Sequence, residues 1–521
     1  MVLGSSAYLV IPFPIEKEAK VVPAISREFF TPHEPIKIES DADIVEENGV
    51  IGGDGSPENP YIIGYWRIEG ENQGFSITIT NTTKHVVIKM NIVCNSALGI
   101  LIENATNITV EKNFVYGCNT GIKCGNSTEL VICNNTCLNI TFTGFELLGS
   151  SGCVFGNTAI RCYTGFYLYA PRDYAIKFYE NTAASNYKGV ELTSTLEVNS
   201  NIVVFNRGPG VAGWFGCAST ISLNKIAYNG VCWFPGVGFS SACGTIFHHN
   251  VFIENNASNP GTYMGWTLWD DGAGGNYWWD WLEPDNNGDG IVDIPRVVVP
   301  GVNETDHFPL TEPPELTIIP MLMPTMNFSE EVIFRAEVIA SRSAVKNVAV
   351  SYKTFDEENY ISIEMERTSG NESRGNYTAK MMTHEVETIL EYYYSAVAED
   401  GSVKKSPVYR CLVNGPPCPP LNLTSTVCQN KVFLRWNSPS STGLSSLSGY
   451  HIYRGLSIEN KTILCAVDAD TTTFVDSNVT PGITYYYHVT AVNAIGESEP
   501  SNTVSATPGC APSPPRTLLL R

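Results

Sequence analysis

The chain has 521 residues, with 32 Lys or Arg against 53 Asp or Glu, a formal net charge of −21. That balance excludes a nucleic-acid partner, which needs a basic footprint. No apolar run reaches the roughly 18–20 residues of a membrane helix, so no membrane span is expected in this chain.

Residues 1–45 read as an N-terminal extension. Its start, MVLGSSAYLVIPFPI, has an apolar stretch but lacks a basic n-region and is broken by two prolines, which makes it a poor signal peptide. The predicted core of the protein follows over 46–312. Gly followed by an apolar residue recurs at Gly99, Gly121, Gly144, Gly165, Gly189 and Gly210, at intervals of 22, 23, 21, 24 and 21. Asparagines at 113, 135, 157, 181, 201, 224 and 250, spaced by 20 to 26, precede short apolar strands such as NFVYG and NIVVF. Two markers sharing one period define a repeat. A helical repeat needs roughly 33–45 residues; short alternating strands broken by Gly and Asn instead make one coil of a parallel β-helix. The recurrent Asn is expected to stack its amide from coil to coil and to tolerate a left-handed corner. Gly is expected to serve a second corner for the same conformational reason. Ile100, Ile122, Phe145, Phe166 and Val190 then point inward.

Two flanking stretches carry a resemblance. GDGSPENPYII (53–63) and GGNYWWDW…PDNNGDGIVDIP…DHFPL (274–310) resemble the opening and the end of NosD-like β-helix proteins, a carbohydrate-binding and sugar-hydrolase-related group. The resemblance implies a right-handed parallel β-helix on a secreted or wall-attached protein, of a kind carried by many archaeal surface proteins. It implies no single activity.

After Pro313-Pro314 the pattern changes. Strands such as VIFRAEVIA and EYYYSAVAED over 313–414 read as an immunoglobulin-like sandwich. Residues 415–509 resemble a fibronectin type III domain, with Trp436 as the core Trp and Tyr486 and Tyr487 in the strand where that family keeps a buried Tyr. The fold class is therefore all-β: a solenoid extended by two sandwiches. Residues 510–521 repeat the Pro-rich opening of the preceding domain. They are either the start of a further sandwich in a truncated chain or, through TLLLR, a donor strand for a neighbouring copy; the apolar AYLVIPFPI could serve the same purpose.

Several residues are candidates for chemistry. Asp285, Asn287, Asp289 and Asp293, with the Ile291 carbonyl, sit at positions 1, 3, 5, 9 and 7 of an EF-hand-like loop, a ligand set for calcium. Arg296 stands where the closing carboxylate belongs, so the alternative is a rigid Asx turn. Trp266, Trp269, Trp278, Trp279 and Trp281 either plug the end of the β-helix or stack on sugars; the plug is the preferred reading. Leu101, Lys123, Glu146, Tyr167, Glu191 and Ala212 form one outward column. In it Glu146 and Glu191 lie two coils apart with Tyr167 between them, about the reach of an inverting glycosidase pair. A solvated mixed-charge face is the simpler alternative. Asp270 and Asp271 read as loop or metal ligands.

Sequons at Asn81, Asn104, Asn107, Asn126, Asn134, Asn139, Asn256, Asn303, Asn327, Asn371, Asn376, Asn422, Asn460 and Asn478 point to extracellular glycosylation. Fifteen cysteines point to an oxidising compartment; buried free thiols are the alternative. Cys94 and Cys118, before corners that look equivalent (CNSALGI, CNTGI), are the expected disulfide. The combined expectation is an extracellular, cell-surface structural or adhesive protein. It would be an envelope or filament subunit whose partners are copies of itself and cell-surface glycans, with calcium as the cofactor. The alternative is a polysaccharide hydrolase or lyase with accessory binding domains.

Overall fold

A computed structural model describes residues 30–509, apart from 71–73, 171–175, 194–195, 215–218, 231–236, 241–244, 256–260, 264–266, 300–303, 324, 328–330, 355–356, 383–388, 429, 440–441 and 443–445. The AYLVIPFPI and TLLLR segments therefore lie outside the described residues, as do Asn256, Asn303 and Trp266.

Each repeat is one coil of three short strands. Val86–Lys89, Ile92–Cys94 and Leu98–Glu103 form one coil; Ile108–Glu111, Phe114–Tyr116 and Thr120–Gly125 form the next. Equivalent strands stack in parallel into an eleven-stranded sheet and two ten-stranded sheets, one of which ends on an antiparallel strand, Val50–Gly52. Register is strict: Ile100 pairs with Ile122, Ile122 with Phe145, Phe145 with Phe166, and Phe166 with Val190. All five are at most 1% exposed. The Phe145 and Phe166 rings stack with centroids 4.7 Å apart. Each such apolar side chain contributes about 1.5–3 kcal/mol by burial.

The second buried feature is polar. Asn91, Asn113, Asn135, Asn157, Asn181, Asn201, Asn224, Asn250 and Asn276 are all at most 1% exposed. Asn157 is typical. Its Nδ2 donates to Asn181 Oδ1 (3.0 Å), Ile132 O (2.7 Å) and Phe155 O (3.0 Å), and its Oδ1 accepts from both the backbone N and Nδ2 of Asn135. One amide therefore satisfies groups in three coils, which is what makes its burial tolerable. A second ladder stands five residues further on: Asn186, Asn206, Asn229 and Asn255, each accepting from the backbone N–H of the coil before.

The corner chemistry differs from expectation. The ladder asparagines are not left-handed; the residue before each one from Asn91 to Asn250 is, as at Lys112 (φ 55°), Asn134 (φ 56°), Glu180 (φ 56°) and His249 (φ 55°). The recurrent glycines do not have positive φ either. They lie inside, where a Cβ on Gly121 would sit 2.5 Å from Gly144 O and 2.7 Å from Cys137 Sγ. Close packing between coils, not backbone freedom, selects them.

The expected Cys94–Cys118 disulfide is not formed; both thiols are free and buried. The two residues are 24 apart, whereas this coil is 22 residues long. Cys94 therefore pairs in register with Tyr116, and Cys118 meets Ser96 Oγ at 3.2 Å. Burial pushes the Cys94 thiol up to about 11 and the Cys124 and Cys162 thiols up to about 12. All three are therefore neutral and unreactive at ordinary pH.

Aromatics close the C-terminal end of the bore. Trp269 stacks on Phe247 (4.7 Å) and Trp278 on Phe252 (4.4 Å). Their indole N–H groups donate to Glu304 and Asp306. Asp306 occupies the place of the next ladder Asn, accepting from the backbone N of Asn276 at 2.8 Å. Trp279 stays 38% exposed, and Arg296 lies over Trp278 and Trp281. Trp269 and Trp278 are thus buried, 0% and 4% exposed.

Residues 317–414 form a four-stranded and a six-stranded sheet; residues 421–506 form a three- and a four-stranded sheet. In the latter, Trp436 and Tyr487 are buried, with Tyr487 Oη donating to Asp476 (2.9 Å). Tyr486 is only partly buried.

The first sandwich does not extend the rod. It lies back along the outer surface of the eleven-stranded sheet, because the outward residues there are apolar. Ile92, Phe114, Leu138 and Ile160 pack against Ile389 and Leu412. Ile202, Val204, Val251 and Ile253 pack against Ile319 and Ile339. Lys225, in the same outward row and 4% exposed, is paired with Glu315, which also accepts from Lys404 at 2.7 Å.

Two outcomes are expected in chemical unfolding followed through the β-helix transition. Asn157→Ala strips partners from buried groups in three coils and costs about 3 kcal/mol or more. Glu315→Ala leaves Lys225 buried without its carboxylate and costs about 3 kcal/mol, whereas Lys225→Met, which leaves Glu315 with Lys404, is near neutral.

Candidate functional site

Three regions remain open to a ligand. On the ten-stranded sheet containing Leu98–Glu103, the predicted column is in register: Lys123 pairs with Glu146, Glu146 with Tyr167, and Tyr167 with Glu191. Glu146 is bound by Lys123 (3.1 Å) and Glu191 by Lys188 (3.0 Å). Each carboxylate of the column thus already has a lysine as its partner.

The 285–293 loop is wound by its own side chains. Asp285 accepts from the N–H groups of Gly288 (2.7 Å) and Gly290 (2.9 Å), Asn287 from Asp289 (2.9 Å), and Asp289 from Ile291 (2.9 Å). Asp293 accepts from Asn286 at 2.8 Å. These are Asx turns. Asp280, five residues before the loop, is held by Arg296 at 2.9 Å. Behind the loop, a cavity of about 330 Å³ is bordered by Asp289, Ile291, Leu310, Arg342 and His249.

The third region was only half visible in sequence. Among the described residues, one set of three metal-capable side chains, His248, His249 and Asp271, has donor atoms within 4.8 Å of one another. His248 ends the strand Ile246–His248, and His249 is the left-handed corner residue before ladder Asn250. Their Nδ1 atoms are 2.9 Å apart, and Asp271 Oδ2 lies 3.5 Å from His248 Nδ1. Burial lowers the His248 pKa, against the pull of Asp271. The adjacent Asp270 does not join this set; it holds His307 Nδ1 at 3.0 Å. The usable signal in the sequence was HHN, two of the chain's eight histidines set directly before a ladder Asn.

The sequon asparagines follow the corners. Asn81, Asn104 and Asn126 are exposed left-handed residues in three successive coils. Each has its backbone N–H bonded to the coil after it. Asn139, Asn371, Asn376, Asn422, Asn460 and Asn478 are also exposed, and Asn107, Asn134 and Asn327 are half-buried.

The comparisons follow this geometry. Residues 38–282 match the family model described as periplasmic copper-binding protein (NosD), and residues 418–507 match the fibronectin type III domain. The chain joins a NosD-like β-helix to a fibronectin type III domain. A Kelch domain-containing protein of Saccharolobus solfataricus is 30% identical over 109 residues, 21% of this chain and 14% of that protein. A titin homolog of Caenorhabditis elegans is 33% identical over 110 residues, 20% of this chain and 1% of that protein. The chain thus spans a small part of these curated relatives. Titin domains A168–A170 (16% identity, TM-score 0.21) and chicken CNTN1 FN1–FN3 (17%, TM-score 0.19) each match 36% of this chain, covering 61% and 62% of their own. At those scores neither likeness carries an argument. The donors of the histidine group are two imidazole nitrogens and one carboxylate oxygen, a set that suits borderline divalent metals.

Asp306 closes both the ladder and the plug. Burial raises its pKa from 3.8 to about 6, despite the hydrogen bonds it accepts from Trp278, Asn276 and Phe308. A raised carboxyl pKa means the folded state holds a proton that the unfolded state releases, so this group's contribution falls as pH rises. Thermal melts should show the wild type losing stability relative to Asp306→Asn between about pH 4 and pH 6, with a constant difference above that.

Proposed function

We propose that this chain is an extracellular, cell-surface structural or adhesive protein, an envelope or filament subunit that assembles with copies of itself. The single observation behind the reading is the docked sandwich. By covering the apolar outer face of the eleven-stranded sheet, it turns a β-helix and a sandwich into one stiff unit. That unit leaves polar, sequon-bearing corners facing solvent. The family description of the β-helix as periplasmic supports a location outside the cytoplasm. Glycans on the exposed sequons and glycan ligands on the cell surface belong to this reading.

Calcium in the 285–293 loop is part of the same proposal. The Asp285, Asn287 and Asp289 oxygens that accept backbone N–H groups retain lone pairs for a hard cation. Chelator is expected to lower the melting temperature of the purified chain by a few degrees, and restored calcium to reverse it. An unchanged melt discards calcium.

Negative-stain microscopy of the secreted chain, whole and lacking 511–521, tests assembly. Filaments or sheets that shorten or vanish on truncation are expected; single particles at every concentration would refute the subunit reading. The registered Glu146–Tyr167–Glu191 column sustains the hydrolase alternative. Reducing-sugar release lost in both Glu146→Gln and Glu191→Gln would favour it.

A further inference from the structure

The His248–His249–Asp271 group poses an electrostatic problem. His248 Nδ1 faces His249 Nδ1 at 2.9 Å, where either nitrogen can carry the proton, and the acceptor Asp271 Oδ2 at 3.5 Å. A single proton on His248 can serve only one of them. The rings stand at 88° to each other, so their in-plane lone pairs cross rather than run side by side. Asp271 has its other oxygen engaged: Oδ1 accepts from Ala273 (2.9 Å) and Gly274 (2.8 Å), leaving Oδ2 directed at the imidazoles. His249 is fixed by the ladder corner, by its N–H to Gly275 O (2.6 Å), and by Gly274, where an added Cβ would lie 2.8 Å from its Nε2.

We propose that His248 Nδ1, His249 Nδ1 and Asp271 Oδ2 form a divalent transition-metal site of the Cu²⁺/Zn²⁺ class at the C-terminal end of the β-helix. Bonds of about 2.0–2.1 Å place neighbouring donors about 2.9 Å apart at a right angle and about 3.4 Å apart in a tetrahedron. The observed 2.9 and 3.5 Å separations match those two edges. One cation at the crossing replaces the contested proton and takes a lone pair from each ligand. The set differs from the 285–293 loop in kind: imidazole nitrogen selects borderline metals, and the loop offers only oxygen. All three ligands are partly or fully exposed, so water or an outside donor completes the shell.

The test uses the full chain stripped of metal and titrated with Cu²⁺ and with Zn²⁺. Calorimetry reads stoichiometry, electron paramagnetic resonance of the copper form reads ligand type, and circular dichroism reads the fold of each variant. One equivalent should bind, with hyperfine splitting from two imidazole nitrogens. Glu331→Gln, an exposed carboxylate of the first sandwich paired with Lys380, should leave both unchanged. His248→Ala and His249→Asn, the latter suited to the left-handed corner, should abolish that equivalent. Asp271→Asn should weaken it at least about tenfold. No binding, an oxygen-only spectrum, or one full equivalent retained in any folded histidine variant overturns the proposal. Should one histidine variant unfold, the other and Asp271→Asn decide.

Discussion

Everything in the β-helix depends on one buried side-chain amide per coil. Parallel stacking aligns apolar residues well enough to fill the bore, but apolar packing alone tolerates slippage. The ladder asparagines do not: a coil moved by one residue would strand an amide and the carbonyls it serves inside a dry core. The same ladder therefore fixes which outward residues become neighbours. The Lys123–Glu146–Tyr167–Glu191 column, the sequon corners and the histidine pair beside Asn250 are all placed by it.

Much of this was legible because period converts directly into position. The 22-residue step from Gly99 to Gly121 and from Asn113 to Asn135 located the inward column and the main ladder. The second ladder is written just as plainly, in the five-residue offset of Asn181/Asn186, Asn201/Asn206, Asn224/Asn229 and Asn250/Asn255. The reasons assigned to residues fared less well than their positions. Glycine was credited with backbone freedom where the structure requires the absence of a Cβ. Cys94 and Cys118 do not pair because their shared Cys-Asn dipeptide does not mark register: the two instances differ by two residues within their coils.

Other features were illegible for a physical reason: they depend on which surfaces meet across long separations. The outward residues Ile92 and Phe114, and Leu138 and Ile160 in the adjacent row, look like ordinary strand residues in the sequence, since short strands in a solenoid can be apolar on both faces. Only the folded chain shows that a sandwich more than two hundred residues later lies on them, and that Lys225 in the neighbouring segment needs Glu315. The histidine cluster is similar. Asp271 comes from a turn one coil beyond His248, and the convergence of their donor atoms follows from stacking rather than from spacing.

Asp306 gives the β-helix a chemical terminus. An amide both donates and accepts, so each Asn can hand the pattern to another; an ionised carboxylate only accepts, and the sequence of bonds stops there. Whole coils can be gained or lost upstream without disturbing that ending, because every interior unit presents the same two faces. The axis thus has one chemically defined end, and a coil inserted upstream in register would leave that end unchanged.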